Sequence, residues 1–315
     1  MKKLFCCVLC VLLLPLYATA GSVLPANVPQ PRPAVEGLDV DGYLSHPGEY
    51  VVEDAENGFW YYVSDTLRIE IDRYIATSVK EVYYIANIYQ KNAEGLSTFL
   101  SNEKNPFDDF RFVDDLARRE HLVFATNGDF FADRTDAASG PVGVVVRHNT
   151  IIANKTKKNV SSLPSRDVIA LFPDGGMKCF DALAHTAQEY IDMGATDVLC
   201  FGPMLVTNGR INMAELQSRT PGLNPRCSIG MVVPGHYVFI LCEGRSDTSD
   251  GVTLITLAEL MYEAGCTEAL NLDGGQTAVM CFMGKKINST GSTGRSSAAR
   301  KITDIIGTGV SELVH

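Results

Sequence analysis

The sequence lacks the patterns by which many hydrolases are classified. It has no GxSxG nucleophile elbow, no HExxH metal-binding helix and no GxxxxGK[ST] phosphate-binding loop. Its histidines are scattered without the spacing of metal ligands, and no CxxC or Cys/His cluster occurs after residue 20. These absences argue against a histidine-based mechanism and a zinc site. We therefore predict no cofactor and leave a divalent metal open.

Positive charge and long hydrophobic runs are also scarce. The 27 Lys and Arg residues are outnumbered by 37 Asp and Glu residues, and the formal net charge is −10. Binding to nucleic acid relies on basic side chains that neutralise phosphates, so we predict no nucleic-acid partner. The apolar run Leu4–Tyr17 is shorter than the roughly 20 residues that span a bilayer, and Pro15 interrupts it. We predict no membrane span.

The N-terminus has the three parts of a secretory signal peptide. Lys2 and Lys3 precede the apolar run, and Ala18-Thr19-Ala20 supplies small residues for cleavage. We expect removal of residues 1–20, which takes the formal charge from −10 to −12. A membrane anchor is the alternative interpretation. The expected location is secreted, periplasmic or on the cell surface, and the basic start favours a bacterial protein.

About 295 residues remain after cleavage, enough for one large domain or two small ones. Residues 21–57 begin with a proline-rich stretch and are predicted to form an arm or linker. Residues 58–315 are predicted to form a single catalytic domain. Several cysteines lie in apolar runs, which favours free buried thiols over disulfides. The cysteines after the signal peptide are Cys179, Cys200, Cys227, Cys242, Cys266 and Cys281.

Strand patterns and helix patterns both occur along the domain. Alternating aromatic and β-branched residues predict strands, and a helix over 110–120 precedes a strand over 121–126. A helix closed by glycine and followed by a strand then appears twice, 71 residues apart, over 187–199 and 258–270. The sequence therefore predicts an α+β domain of mixed β-sheets with flanking helices.

Three of these predicted strands end in a polar loop that contains glycine. If the strands ran in the same sense in one sheet, the loops would meet at one edge, where ligands bind in α/β sheets. We therefore predict a shared site. The loops are Asn127-Gly128-Asp129, Phe201-Gly202-Pro203 and Leu272-Asp273-Gly274-Gly275.

Asp273 is the leading catalytic candidate. Its carboxylate ends an apolar strand, two glycines leave it accessible, and Gln276 and Thr277 follow as hydrogen-bonding side chains. Partial burial there would tune its pKa. The alternative is a turn aspartate that binds its own backbone. Asn127 and Asp129 follow the same logic, with a hairpin turn as the alternative.

Glu243, Arg245 and Arg226 form a second group at strand ends. Glu243 follows a predicted strand directly, Arg245 lies two residues later, and Arg226 begins the strand before it. The planar guanidinium fork suits a phosphodiester, because it can hold two oxygens at once. A surface ion pair and a solvated strand-edge arginine are the alternatives.

Taken in order, these motifs resemble the phosphodiester glycosidase family over about residues 60 to 310. Each motif is weak alone, but six in the same order are specific. Asp129 and Gln276 stand where many members have glycine, which affects the expected substrate more than the expected fold. The motifs are Asn127-Gly128-Asp129-Phe130-Phe131, Phe201-Gly202-Pro203, Pro225-Arg226, Glu243-Gly244-Arg245, Gly251 with Thr253-Leu254, and Leu272-Asp273-Gly274-Gly275.

The resemblance implies hydrolysis of the sugar C1–O bond in a sugar-1-phosphodiester of a glycan or cell-envelope polymer. A phosphate monoester leaves more easily than an alkoxide, so less protonation is needed than in other glycosidases. The implied catalytic carboxylates are Asp273, Glu243 and Asp129. The implied substrate-binding residues are Arg226 and Arg245 for phosphate, Asn127 and Gln276 for hydroxyls, and Gly202, Gly274 and Gly275.

Two other functions stay open at this point, as does a homo-oligomeric state. One is a non-catalytic carbohydrate or cell-wall binding protein on the same fold. The other is a phosphodiesterase that cuts the P–O bond with a metal held by Asp129 and Asp273.

Overall fold

A computed structural model describes residues 34–129, 131, 135–136, 140–155, 166–218, 222–291 and 298–315. The predicted signal peptide and the proline-rich stretch up to residue 33 lie outside these residues, as does Phe130. Within the described ranges, no helix is long and apolar enough to cross a membrane.

A nine-stranded sheet forms the largest layer of the fold, with strands numbered along the chain. The strands in spatial order are β1 (Tyr50–Asp54), β2 (Phe59–Val63), β3 (Leu67–Ala76), β4 (Glu81–Gln90), β17 (His236–Cys242), β16 (Arg226–Val233), β18 (Glu268–Leu272), β14 (Met204–Thr207) and β15 (Arg210–Ile211). The segment 50–54, which the sequence assigns to the arm, thus pairs with β2 as part of this sheet.

Two five-stranded sheets and one two-stranded sheet make up the other β-structure of the described residues. The second sheet has the order β10 (Thr150–Lys155), β9 (Gly143–Arg147), β13 (Asp197–Phe201), β11 (Asp167–Leu171) and β12 (Met177–Phe180). The third has the order β20 (Lys285–Lys286), β19 (Met280–Phe282), β6 (Leu122–Asn127), β21 (Asp304–Val310) and β5 (Ser97–Leu100). The two-stranded sheet consists of β7 (Thr135–Asp136) and β8 (Gly140–Pro141).

The α-helices of the described residues are few and short. They are α1 (Val113–Arg119), α2 (Ala187–Asp192), α3 (Met213–Ser218) and α4 (Leu254–Glu263). The predicted combination of sheets with flanking helices is therefore correct in outline. The sheets are not mixed, however, because every strand pair recorded among the described residues is antiparallel.

The main hydrophobic core lies between one face of the nine-stranded sheet, here called the inner face, and the other two sheets. Ile229 of β16 and Phe239 of β17 point into it and are fully buried. Phe124 of β6 meets Phe239 from the opposite side, with ring centroids 4.9 Å apart. Burial of such side chains is the dominant stabilising contribution to the fold.

The opposite face of the large sheet is covered by α4. Val238 and Ile240 pack there against Leu257 and Met261 of the helix. The helix begins after Thr253, whose hydroxyl accepts a hydrogen bond from Thr256 N at 3.0 Å. A second helix, α2, covers the second sheet, and α1 covers the third.

The three predicted helix–strand units do not share one sheet. Their strands are β6, β13 and β18, which belong to the third, second and first sheets respectively. The prediction of a common sheet was wrong because helix and strand periodicity report local structure and not long-range pairing. The six cysteines after residue 20 are free thiols and buried, as predicted.

Candidate active site

The register of the large sheet brings three chain segments to one edge. β16 is antiparallel to both of its neighbours, with Arg226 opposite Cys242 and Cys227 opposite Leu272. The residues that follow β17 and β18 therefore lie at the end of the sheet where β16 begins, which is here called the sheet edge. These residues are Glu243 and Asp273, and the two strand spacings between them put their backbones about 10 Å apart.

Asp273 lies half-buried at the end of β18. Its Oδ2 accepts a hydrogen bond from the Thr277 hydroxyl at 2.6 Å. Its backbone carbonyl accepts another from Nδ2 of Asn127, at the end of β6, at 2.9 Å. The third sheet therefore helps to hold the Asp273 loop, although it contributes no strand to the sheet that carries Asp273.

The two glycines after Asp273 allow the loop to lie directly against the start of β16. Gly275 N donates to the Pro225 carbonyl at 3.0 Å. A Cβ atom at Gly274 would lie 2.5 Å from that same carbonyl oxygen, and Gly275 has a φ of +65°. Side chains at these positions would clash or strain the backbone, so the close approach requires glycine.

Arg245 and Arg226 supply positive charge beside this loop. Arg245 is exposed. It lies close to the Asp273 loop, because a Cβ atom added at Gly275 would be 3.2 Å from Arg245 Nη1. Its Nη2 donates to Asn224 Oδ1 at 2.7 Å. Arg226 is half-buried and donates to the carbonyls of Val252 (3.4 Å) and Gly222 (3.2 Å).

Neither of these two guanidinium groups forms an ion pair with a carboxylate of the described residues. Burial lowers the pKa of Arg226 to about 10, and the nearby charge of Arg245 acts in the same direction. Two neighbouring cations that are bound only by neutral groups favour an anionic ligand. Such a ligand would offset the burial of the Arg226 charge and the repulsion between Arg226 and Arg245.

Glu243 lies on the inner side of the sheet edge and is 6% exposed. Its Oε1 accepts hydrogen bonds from Ser289 N at 2.6 Å and from the Tyr84 hydroxyl at 3.0 Å. Burial raises the pKa of Glu243 above its ordinary value, although these two hydrogen bonds lower it in part. A carboxyl group that retains its proton to higher pH is suited to general acid catalysis.

A short hydrogen-bonded segment connects the surroundings of the two carboxylates. Thr277, which binds Asp273, is followed by Ala278, whose carbonyl accepts from Asn288 Nδ2 at 3.0 Å. The next residue, Ser289, donates its backbone N–H to Glu243. Asn288 is 4% exposed, so the acceptor side chain of the glycosylation sequon that it begins is buried.

Asp129, predicted as a catalytic carboxylate, has different surroundings. It is fully buried, and its Oδ2 accepts from Cys200 N at 2.6 Å while its Oδ1 lies 3.0 Å from Arg147 Nη2. Arg147 also binds Asp304 at 2.7 Å, so one guanidinium holds two buried carboxylates. A substrate from solvent cannot contact Asp129 in this geometry, and we interpret Asp129 as a structural residue.

The two ligands of the metal-dependent alternative have different surroundings. Asp129 is directed to Arg147 in the interior, whereas Asp273 is bound by Thr277 at the sheet edge.

The remaining predicted residues mostly position the site through their backbones. Gly202 N donates to the Asn271 carbonyl, and Asn271 Nδ2 donates to the Gly202 carbonyl, both at 2.9 Å. The Asn127 side chain is fully buried and binds protein atoms. Gln276 is half-buried in a short 3₁₀ turn after Gly274, and its carbonyl accepts from Arg300 N at 2.9 Å.

Tyr84 and Ser289 are site residues that the sequence did not single out, and Thr277 was noted only as a polar neighbour of Asp273. Tyr84 occupies an ordinary position in an alternating aromatic strand, 159 residues from the glutamate that it binds. Of the three, only Thr277 could be connected with the site from the local sequence, because it follows the Asp-Gly-Gly turn. The other two contacts depend on pairing between distant segments.

The buried position of Glu243 predicts a pH-dependent contribution to stability. The folded-state pKa of Glu243 is raised, so the folded protein holds this proton more tightly than the unfolded chain does. The resulting stabilisation is present below the ordinary pKa of glutamate. It is lost as pH rises through the folded-state pKa, so the free energy of unfolding falls. Glu243→Gln stays neutral and should lack this loss. We expect the variant to gain stability relative to the parent as pH rises from about 4 to about 7.

Urea denaturation at several pH values measures this difference, with Glu312→Gln at an exposed position as the control. A difference between Glu243→Gln and the parent that does not change with pH would contradict the raised pKa.

Comparison with protein families gives the class to which this fold and site belong. The model of the phosphodiester glycosidase family matches residues 120–308, more than half of the chain. The chain therefore belongs to the phosphodiester glycosidase family, as the ordered motifs predicted.

Among curated proteins, the chain is similar to the SPbeta prophage-derived uncharacterized protein YomE of Bacillus subtilis (strain 168). The two are 24% identical over 240 residues, which cover 75% of this chain and 35% of YomE. The chain thus spans about a third of the length of that relative.

Three solved structures have a similar fold. The catalytic domain of zebrafish N-acetylglucosamine-1-phosphodiester alpha-N-acetylglucosaminidase, auto-inhibited by its pro-peptide, matches with a TM-score of 0.59 and 15% identity over 82% of this chain and 87% of that chain. A hypothetical protein from Synechocystis has a TM-score of 0.55 at 12% identity, covering 84% of this chain and 64% of that chain. A putative exported protein from Burkholderia pseudomallei has a TM-score of 0.52 at 12% identity, covering 72% and 74%.

Proposed function

We propose that this protein is an exported enzyme that hydrolyses the sugar C1–O bond of a sugar-1-phosphodiester. The substrate would belong to a glycan or cell-envelope polymer, and the products would be a free sugar and a phosphomonoester. The observation that supports this most directly is the pair Arg226 and Arg245 beside the Asp273 loop. Export is supported by the basic and apolar pattern of residues 1–20.

In the proposed reaction, Arg226 and Arg245 bind the phosphate and stabilise the charge that grows on it as the bond breaks. Asp273 stabilises the positive charge that develops at C1, or accepts a proton from the attacking water. The water oxygen forms the new bond to C1, and the electron pair of the broken C1–O bond stays on the phosphate oxygen. Glu243 is the partner carboxyl group, whose raised pKa lets it supply a proton to the departing oxygen.

Arg226→Gln tests the assignment of the phosphate site. We expect kcat/KM for a sugar-1-phosphodiester to fall by about 10²-fold, because the variant loses a charge that stabilises the developing phosphate anion. Arg210→Gln is a matched control, since Arg210 is exposed on the edge strand β15. An Arg226→Gln variant that retains the parent rate would contradict this assignment.

The assay itself incubates the full chain with methyl phosphodiesters of glucose-1-phosphate and N-acetylglucosamine-1-phosphate. N-acetylglucosamine is included because the similar zebrafish domain carries that sugar in its name. Free sugar together with methyl phosphate shows that the bridge between sugar and phosphorus is cut, which supports the proposed function, and ¹⁸O-labelled water then distinguishes its C1–O bond from its P–O bond. Release of sugar-1-phosphate indicates P–O cleavage and contradicts it, and absence of turnover with both compounds also counts against it.

A further inference from the structure

A second cleft lies at the far end of the strands that build the active site. It has a volume of about 510 Å³ and is bounded by the β2–β3 turn, the β4–β5 loop, β5 and β21. β4 carries Tyr84 at the Glu243 end and Gln90 at this cleft. Six residues of extended strand separate the two, which corresponds to about 20 Å. The cleft is therefore distinct from the site that contains Asp273.

The chemistry of this cleft differs from that of the active site. Thr66, Asn92 and Ser97 are exposed and contribute hydroxyl and amide groups to its lining, and Glu94 adds one carboxylate. None of the described residues that line the cleft is a Lys, Arg or His. The lining therefore suits a ligand with neutral hydrogen-bonding groups and disfavours a phosphate.

Apolar side chains complete the lining beside these polar groups. Phe99 is half-buried, Leu122 is buried, and Val310 is 72% exposed. A surface that is polar in one part and apolar in another matches a sugar ring, which presents hydroxyls at its edge and C–H groups on its faces.

Gln90 fixes the loop that carries the polar groups. Its Nε2 donates to the Gly95 carbonyl at 2.6 Å and to the Thr308 hydroxyl of β21 at 2.8 Å. Its Oε1 accepts from Gly95 N at 2.7 Å. These three bonds hold the 91–95 loop against the strand opposite, so the cleft is formed before a ligand arrives, which reduces the entropy lost on binding.

We propose that this cleft is a binding site for neutral saccharide units, separate from the catalytic site. Its volume lies within the usual range of about 300–1,000 Å³ for small-molecule sites. Such a site would hold part of a glycan at a distance from the bond that is cleaved. The inference rests on the cleft alone and does not require the proposed phosphodiester hydrolysis.

Titration calorimetry with the full chain tests this proposal, using chitotriose, maltotriose and cellotriose at millimolar concentration. We expect at least one of these to bind. The double variant Asn92→Ala/Glu94→Ala should weaken that binding by about tenfold, because it removes two polar side chains that face the ligand. Both positions are exposed, so the fold should be unaffected, which the thermal midpoint checks.

Two control variants locate the binding. Glu56→Ala removes an exposed glutamate in the turn between β1 and β2, and Arg226→Gln alters the active site. Both should bind the trisaccharide as the parent does. The proposal is overturned if none of the three sugars binds, if the double variant binds as tightly as the parent, or if Arg226→Gln abolishes the binding.

Discussion

Asp273→Asn is expected to lower kcat for sugar-1-phosphodiester hydrolysis by about 10³-fold, within the usual range for loss of a positioned catalytic group. The substitution keeps the size and the hydrogen bond from Thr277 but removes the negative charge that would face C1. Because Asp273 is only half-buried at a strand end, we expect little change in stability. Steady-state kinetics and urea denaturation of the same preparations measure both effects.

The chain contains a close match to this motif that serves as the control. Asp174-Gly175-Gly176 repeats the Asp-Gly-Gly sequence in a turn, where the exposed Asp174 accepts through its Oδ1 from Gly176 N at 2.9 Å. Asp174 therefore has the role that the sequence left open as the alternative for Asp273, which is a turn aspartate that binds its own backbone. Asp174→Asn should retain parental activity. Equal rates for Asp273→Asn and the parent would remove Asp273 from the mechanism.

Arg147→Met is expected to destabilise the folded protein by about 3–5 kcal/mol, because it leaves Asp129 and Asp304 as buried carboxylates without their shared cation. Burial by itself acts to lower the pKa of Arg147, but the charges of Asp129 and Asp304 raise it above its usual value. All three nitrogens of the guanidinium are engaged, two with Asp304 and one with the carbonyls of Val146 and Val198. The midpoint of urea denaturation measures the effect.

Two further variants make this result interpretable if Arg147→Met does not fold. Arg147→Lys keeps the charge but offers one nitrogen in place of three, so it should be destabilised less. Arg111→Met removes an arginine whose ion pair with Asp109 is exposed, and should change the free energy of unfolding by less than about 1 kcal/mol. Arg147→Met within that same small range would show that the buried ion pairs do not stabilise the fold.

Asp273 shows which part of the site could be predicted from local sequence. A carboxylate after an apolar strand and before two glycines predicts an accessible acid at a strand end, and the structure has Asp273 in that position. Glu243 and Arg226 followed from the same reasoning about strand ends. Their convergence with Asp273 depends on β16, β17 and β18 being neighbours in one sheet, which the sequence did not predict. The shared sheet that the sequence did assume, for β6, β13 and β18, was wrong.

Asp129 shows why a motif does not determine the direction of a side chain. Asn127-Gly128-Asp129 has the composition of a site loop, but the partner that fixes Asp129 is Arg147 of another sheet. Likewise, Tyr84 binds Glu243 only because β4 pairs with β17 across a long stretch of chain. Such pairing depends on tertiary packing, which the periodicity of a single segment does not encode.

The bond that breaks is the central claim, and hydrolysis in ¹⁸O-labelled water tests it most directly. The full chain would be incubated with a sugar-1-phosphodiester, and the products analysed by mass spectrometry. If water attacks C1 beside Asp273, the label appears in the released sugar and the phosphomonoester stays unlabelled. Label in the phosphate would mean that the P–O bond is cut, and would contradict the glycosidase assignment.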